Sequence, residues 1–197
     1  MKKKLIFTIS FILYNSISAQ VSTTSGNWFA KEWNKDISVF RSNEYLIKNI
    51  LRNSNDILRF ENIALASSNS GEITTLLYRS EEPIKEGLLL CFYGNYWNDN
   101  GVEYQGYGFK NFDKEEAFNF LNKLQEVLAE TENYRTNNNT TAYAEKNVSF
   151  KHGDMDLLIS NIYGKIIIRI FWKGFDSSWD FNSFKRSKKR FEKKSKE

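Results

Sequence analysis

The chain has 197 residues, a formal net charge of +4, and only one cysteine, one histidine and one proline. A lone cysteine excludes an intramolecular disulfide, and with a lone histidine it excludes Cys- and His-rich zinc sites, so folding relies on the core. The positive balance is local: Lys185–Glu197 holds eight basic and two acidic residues and Lys2–Lys4 adds three lysines, which leaves the body mildly acidic.

Lys2–Lys4, the apolar run Leu5–Tyr14 and the small pair Ser18-Ala19 have the three parts of an export signal, which predicts residues 1–19 as a leader cleaved after Ala19. The apolar run is too short to span a bilayer comfortably, and no later run is long and apolar enough. A periplasmic or extracellular protein without a membrane span is expected, and in that setting nucleic acid is not an expected partner. Residues 20–184 suit one domain, with 185–197 as a basic helix end or tail.

Trp28, Phe29 and Trp33 fit a short helical turn over Asn27–Lys35, and Leu46, Ile47, Ile50 and Leu51 predict an amphipathic helix over Asn43–Arg52. The period then changes to two. Arg59–Ala66 and Ile73–Arg79 read as a hairpin around Ser67–Gly71, and Leu88–Trp97 and Val102–Phe109 as a second around Asn98–Gly101. Asn100-Gly101 favours a two-residue type I′ turn, which sets Trp97 opposite Tyr104, Phe92 opposite Phe109 and Tyr93 opposite Gly108. That register places Leu88, Leu90, Phe92, Tyr107 and Phe109 on one face. Tyr93, Asn95, Trp97 and Tyr104 share the other with Gly106 and Gly108.

Asp113–Glu132 is the clearest helix. Asp113 and Glu116 form a capping box, and Ala117, Phe120, Leu121, Leu124, Val127 and Leu128 make one apolar stripe that requires a sheet to cover it. A polar loop is expected over Asn133–Thr141. Three strands follow, Ala142–Phe150, Met155–Ile162 and Lys165–Trp172, with turns at His152–Asp154 and Tyr163-Gly164. The last strand is the most apolar and is expected inside the sheet, its face Ile166, Ile168, Ile170 and Trp172 inward and Arg169 outward. Ser177–Lys194 reads as a final helix through Phe181, Phe184 and Phe191. Phe112-Asp113 with Phe118-Asn119 recurs as Phe175-Asp176 with Phe181-Asn182, 63 residues on, a hint of a repeated strand-then-helix unit.

The expected fold is therefore α+β: a single domain with a mainly antiparallel sheet of about six or seven strands. A long amphipathic helix and a C-terminal helix pack on one face, and short N-terminal helices lie at an end or over the other.

The chain has no G-x-S-x-G elbow, P-loop or G-x-G-x-x-G fingerprint, and Asn98–Gly101 fails as a calcium loop because Tyr96 stands where the first ligand belongs. No catalytic set, metal or cofactor is predicted. His152 beside Asp154 and Asp156 lacks a nucleophile, and Cys91, inside an apolar run, reads as a buried small hydrophobe. The candidate binding residues are Tyr93, Asn95, Trp97 and Tyr104, whose rings and amide could stack on a sugar or receive a protein loop. A weaker polyanion or membrane-surface contact falls on Lys185, Arg186, Lys188, Lys189 and Arg190. The expected function is a non-enzymatic exported binding protein with a protein partner, of inhibitor or immunity type. The alternative is an envelope hydrolase or glycan-binding protein using the aromatic patch, with Asp99 and Glu103 as its acid–base candidates.

Overall fold

The structure, a computed structural model, describes residues 35–51, 57–136 and 146–197. The export signal, Trp28, Phe29, Trp33, Asn137–Thr141 and the start of the strand expected from Ala142 lie outside the described residues. Helix α1 covers residues 35–45 and runs on as a π-helical stretch, Leu46–Ile50. It thus begins at least eight residues before the helix expected from Asn43. The stripe that docks it is Ser38, Ser42 and Leu46, all essentially buried at spacings of four. Two of the three are serines, so hydrophobic periodicity misses them.

Eight strands follow: β1 (Phe60–Ser67), β2 (Ile73–Ser80), β3 (Lys85–Trp97), β4 (Glu103–Asp113), β5 (Asn147–His152), β6 (Met155–Ile162), β7 (Lys165–Trp172) and β8 (Phe175–Asp180). Helix α2 (Lys114–Glu130) and the short α3 (Glu132–Thr136) separate β4 from β5, and α4 (Phe181–Lys194) ends the fold. The segment expected as a polar loop from Asn133 thus begins as helix.

The strands form two antiparallel meanders, β1–β4 and β5–β8, joined into one eight-stranded sheet where Tyr96 of β3 pairs with Phe175 of β8. Each meander ends in a helix whose first turn is capped by an aspartate. Asp113 accepts the Glu116 N–H at 2.8 Å while Glu116 accepts the Asp113 N–H at 3.2 Å, the full capping box, and Asp180 accepts the Ser183 N–H at 3.0 Å. The topological unit ββββα therefore occurs twice. Its caps lie 67 residues apart, and Phe175-Asp176 opens β8 rather than closing it. The residue echo at 63 is not the register of this repeat.

Strand β8 is absent from the sequence expectation, which began the last helix at Ser177, inside this strand. Phe175, Ser177 and Trp179 alternate inward while Asp176 and Ser178 face out, and short Asp/Ser-rich strands carry little propensity of their own. Its signal is the turn before it: Lys173-Gly174 has φ of 47° and 80°, the same type I′ pattern as Tyr163-Gly164 at 49° and 77°.

One face of the sheet buries Leu88, Leu90, Phe92, Ile168, Ile170, Trp172 and Trp179 against α2 and α4. All six expected stripe residues of α2 are buried there. Helix α4 carries few apolar residues but approaches closely on small ones: Ser187 meets Thr75 Oγ1 at 2.7 Å and Ser183 donates to the Ser67 carbonyl at 2.9 Å. Phe191 is fully buried, so Lys185–Lys194 is the helix end of the two options and part of the folded body. On the other face α1 covers Leu76, Tyr78, Leu89 and Cys91.

Candidate functional site

The candidate residues sit at the far end of the β3–β4 hairpin, and its register differs from the expected one. Tyr96 pairs with Tyr104, Tyr93 with Tyr107 and Trp97 with Glu103. The loop has three residues, Asp99-Asn100-Gly101, closed by the Asn98 N–H to the Val102 carbonyl at 3.0 Å and the Gly101 N–H to the Asn98 carbonyl at 2.9 Å. Gly101 takes φ of 72°. Asn98 decides the choice: its side-chain oxygen accepts the N–H groups of Asn100 at 3.0 Å and Val102 at 2.9 Å, which stabilises this wider turn over the two-residue one.

A slip of one residue exchanges faces along the whole of β4. Tyr107 and Phe109 therefore leave the core face and join the α1 side, where Phe109 stacks on Tyr45 at 5.0 Å and Tyr107 on Tyr93 at 4.8 Å. Gly106 and Gly108 move to the core face. They are not bare patches: a Cβ on Gly108 would stand 2.6 Å from the Phe175 ring and 3.1 Å from Trp172. The expected patch is split accordingly. Tyr93, Asn95 and Trp97 lie on the α1 side with Tyr107, whereas Tyr104 is on the opposite face, stacked on Tyr96 at 5.8 Å.

Past the reach of α1 the patch is open. Trp97 is 57% and Tyr104 48% exposed, Asn95 is exposed, and Tyr93 and Tyr107 are half-buried. Asn95 Nδ2 donates to Glu103 Oε1 at 2.6 Å, which fixes the carboxylate beside Trp97. Asp99 is in the turn and Glu103 opens β4. Burial raises the Tyr107 hydroxyl above its ordinary pKa, with neighbouring Tyr93 and Cys91 adding to it and Arg41 opposing.

The edge of the hairpin carries a second feature. The Tyr93 N–H bonds the Glu72 carbonyl at 2.8 Å and the Trp97 N–H bonds that of Gly174 at 3.3 Å, so odd-numbered residues of β3 turn their backbone groups away from β4. By the alternation of an antiparallel ladder, Glu103, Gln105, Tyr107 and Phe109 turn theirs away from β3. Strand β4 has no other strand partner among the described residues. Along that stretch the edge is open.

The other candidates resolve as follows. His152 ends β5 and packs 5.1 Å from the Phe120 ring and 6.0 Å from Phe112. Asp154 does not orient it, because its oxygens accept Lys110 Nζ at 2.6 Å and Trp172 Nε1 at 2.8 Å; Asp156 pairs with Lys151 at 3.4 Å. Arg169 faces outward, as expected, and pairs with Asp176 through two hydrogen bonds while lying 5.3 Å from the Phe171 ring. Cys91 is buried, and burial pushes its thiol up to about 12, with a hydrogen bond to Ser38 pulling the other way. No cluster of three or more His, Cys, Asp or Glu side chains that could hold a metal ion occurs among the described residues.

The basic residues of α4 divide. Arg190 donates to the Leu65 carbonyl, at the bulge of β1. Lys185, Arg186, Lys188 and Lys189 instead line a cleft of about 810 Å³ between α4, the C-terminal half of α2, and α3. Its floor includes Leu128, Ile166, Phe181, Phe184 and Arg135. Arg135 was not singled out in the sequence, where it sits in an apparently polar loop. Among the described residues no helix is long and apolar enough to cross a membrane.

The chain matches no family model, no curated protein and no solved structure. Any function must therefore rest on the geometry.

Proposed function

We propose that the protein is a non-enzymatic exported binding protein of the inhibitor or immunity type. In this reading it captures an extended segment of a protein partner along strand β4. The observation that carries the proposal is the open edge of Glu103–Phe109, which offers four residues' worth of outward N–H and C=O groups in strand geometry. An added strand satisfies such groups and gives affinity through main-chain bonds, while rings on alternate positions supply selectivity. Here Trp97, Tyr93 and Tyr107 flank one side and Tyr104 the other, so an incoming strand meets aromatic surface on both faces of the ribbon. Large, stiff side chains of this kind add contact area at low entropy cost.

The test separates backbone from side chain. Gln105→Pro removes an outward N–H and no bond to β3, so it leaves the fold intact, as proline on a solvent-facing strand edge does. Affinity capture of the tagged chain from envelope and medium fractions, followed by mass spectrometry, identifies the partner. Gln105→Pro and Trp97→Ala each reduce capture at least tenfold with an unchanged melting temperature. Full capture by a folded Gln105→Pro variant refutes pairing along β4, and capture of soluble glycan alone favours the sugar-binding alternative.

A further inference from the structure

The cleft between α2, α3 and α4 presents five cationic side chains, Arg135, Lys185, Arg186, Lys188 and Lys189, against two carboxylates, Glu132 and Glu192. Lys188 is committed, bonded to Glu192 and to Asn122 Oδ1 at 2.8 Å. Arg186 donates to Ser183 Oγ at 2.7 Å, and Lys185 lies over the Phe181 ring at 5.1 Å. The unbalanced charge centres on Arg135.

Arg135 is only 5% exposed. Its Nη2 donates to the Leu128 carbonyl at 2.5 Å and its Nε to Thr131 Oγ1 at 3.2 Å, bonds that fix the guanidinium beneath the end of α2. Its Nη1 is buried and bonds nothing. No carboxylate forms an ion pair with it among the described residues. Burial pulls the Arg135 guanidinium below its ordinary value, and the charge of Glu132, which forms no ion pair with it, opposes that only in part; a buried cation so weakly compensated is costly. Hydrogen bonds to two neutral oxygens position it without neutralising it. A bound anion supplies what is missing, through a charge-assisted contact of the kind guanidinium groups make best. The rest of the cleft sets the body of that ligand: Leu128, Ile166, Phe181 and Phe184 make an apolar wall, and the lysines form a cationic rim.

We propose that this cleft is a binding site for a small amphiphilic anion, a carboxylate or phosphate head on Arg135 and the rim lysines with an apolar body against Phe181, Phe184 and Ile166. The site stands apart from the β3–β4 hairpin and uses none of its residues. The volume of about 810 Å³ is that of a small-molecule pocket and well above what a bare anion fills.

The test measures binding of dodecanoate, dodecyl phosphate, inorganic phosphate and dodecanol to the mature chain by calorimetry, with melting temperature alongside. One of the two amphiphilic anions binds at a single site in the micromolar range, and which one distinguishes a carboxylate from a phosphate head. Arg135→Met weakens that binding at least tenfold. Because Arg135 also holds the α2 terminus, a second variant leaves it untouched: Ala129 is exposed on the cleft wall, and Ala129→Trp fills the space in a fully folded protein and abolishes binding. Dodecanol binding as tightly as the anions, inorganic phosphate binding as tightly as dodecyl phosphate, unchanged affinity in Ala129→Trp, or no binding of any probe at millimolar concentration would each overturn the proposal.

Discussion

Gly108→Ala tests the hairpin register on which the split of the aromatic patch depends. In the observed register residue 108 faces the core, opposite Phe92, and its Cβ would lie 2.6 Å from Phe175 Cε2 and 3.1 Å from Trp172 Cζ3. Neither ring can step aside freely. Phe175 is wedged between Tyr96 at 4.9 Å and Phe92 at 5.9 Å, and Trp172 is anchored by its bond to Asp154. Overpacking of a filled core costs roughly 1–3 kcal/mol. For a domain of this size that lowers the melting temperature by about 2–4 °C per kcal/mol. The assay is urea unfolding followed by tryptophan fluorescence and circular dichroism, with the midpoint falling and the slope unchanged. In a Phe175→Leu background the extra methyl has room, and its cost drops below about 0.5 kcal/mol, a coupling that a double-mutant cycle isolates. Equal stability of Gly108→Ala and the parent protein, in both backgrounds, would refute the register. Residue 108 would then face solvent beside Tyr93.

Three further outcomes follow from the same geometry. Burial holds the His152 imidazole below its ordinary value of 6.5, with Lys110 adding to the effect and Glu116 opposing it. The unfolded chain therefore takes the proton first: this contribution is complete above about pH 6.5 and is lost as pH falls toward the folded pKa, so His152→Gln flattens the urea midpoint between pH 6.5 and 5, and an unchanged slope there rules the assignment out. With its thiol pushed up to about 12, Cys91 should react with a thiol reagent only as fast as the chain opens, and rapid labelling of the native protein would contradict its placement under α1. Asp180→Ala removes the cap of α4 and the 2.8 Å bond to the Asn69 N–H, and is expected to cost about 1–2 kcal/mol in the same unfolding assay; a loss below about 0.3 kcal/mol would mean that cap contributes little.

How much of this was legible in the chain depends on the distance over which each signal acts. Helix α2 was readable to within two residues at each end because its cap and stripe are local. Strands β6 and β7 were readable exactly as bounded, since two-residue turns and apolar alternation are also local. The β3–β4 register was not, because Asn100-Gly101 suits a two-residue loop and the deciding atom is the Asn98 side chain, which bridges five residues. The first half of helix α1 and strand β8 were missed for a common reason: serines docked against a partner, Ser38 and Ser42 in one and Ser177 in the other, look polar until the surface that buries them is known. The register expected for β3 and β4 grouped the aromatic residues with the wrong neighbours. Arg135 gave no signal, because its burial depends on the assembled cleft, whereas its local partners, Leu128, Thr131 and Glu132, look like an ordinary helix end.

An antiparallel sheet of this kind has exposed edges, and their treatment differs in a way that bears on function. Strand β1 is interrupted by a bulge between Ala64 and Ala66, where the Leu65 carbonyl receives Arg190 of α4, and Ser67 receives Ser183. A bulge and a covering helix are the usual means of blunting an edge. Strand β5 is short, six residues, and alternately exposed. Strand β4 has eleven residues in unbroken register, no proline and, among the described residues, no helix along its edge, and its Lys110 is turned to Asp154 on the core face rather than outward to repel a neighbour. Selection against edge-to-edge aggregation would favour a proline or an uncommitted charge here; the stretch Glu103–Phe109 has no proline, and its one charged side chain, Glu103, is bonded to Asn95. Among the described residues the edge beside Trp97 is thus the least protected of the three, which is the arrangement that the proposed pairing along β4 requires.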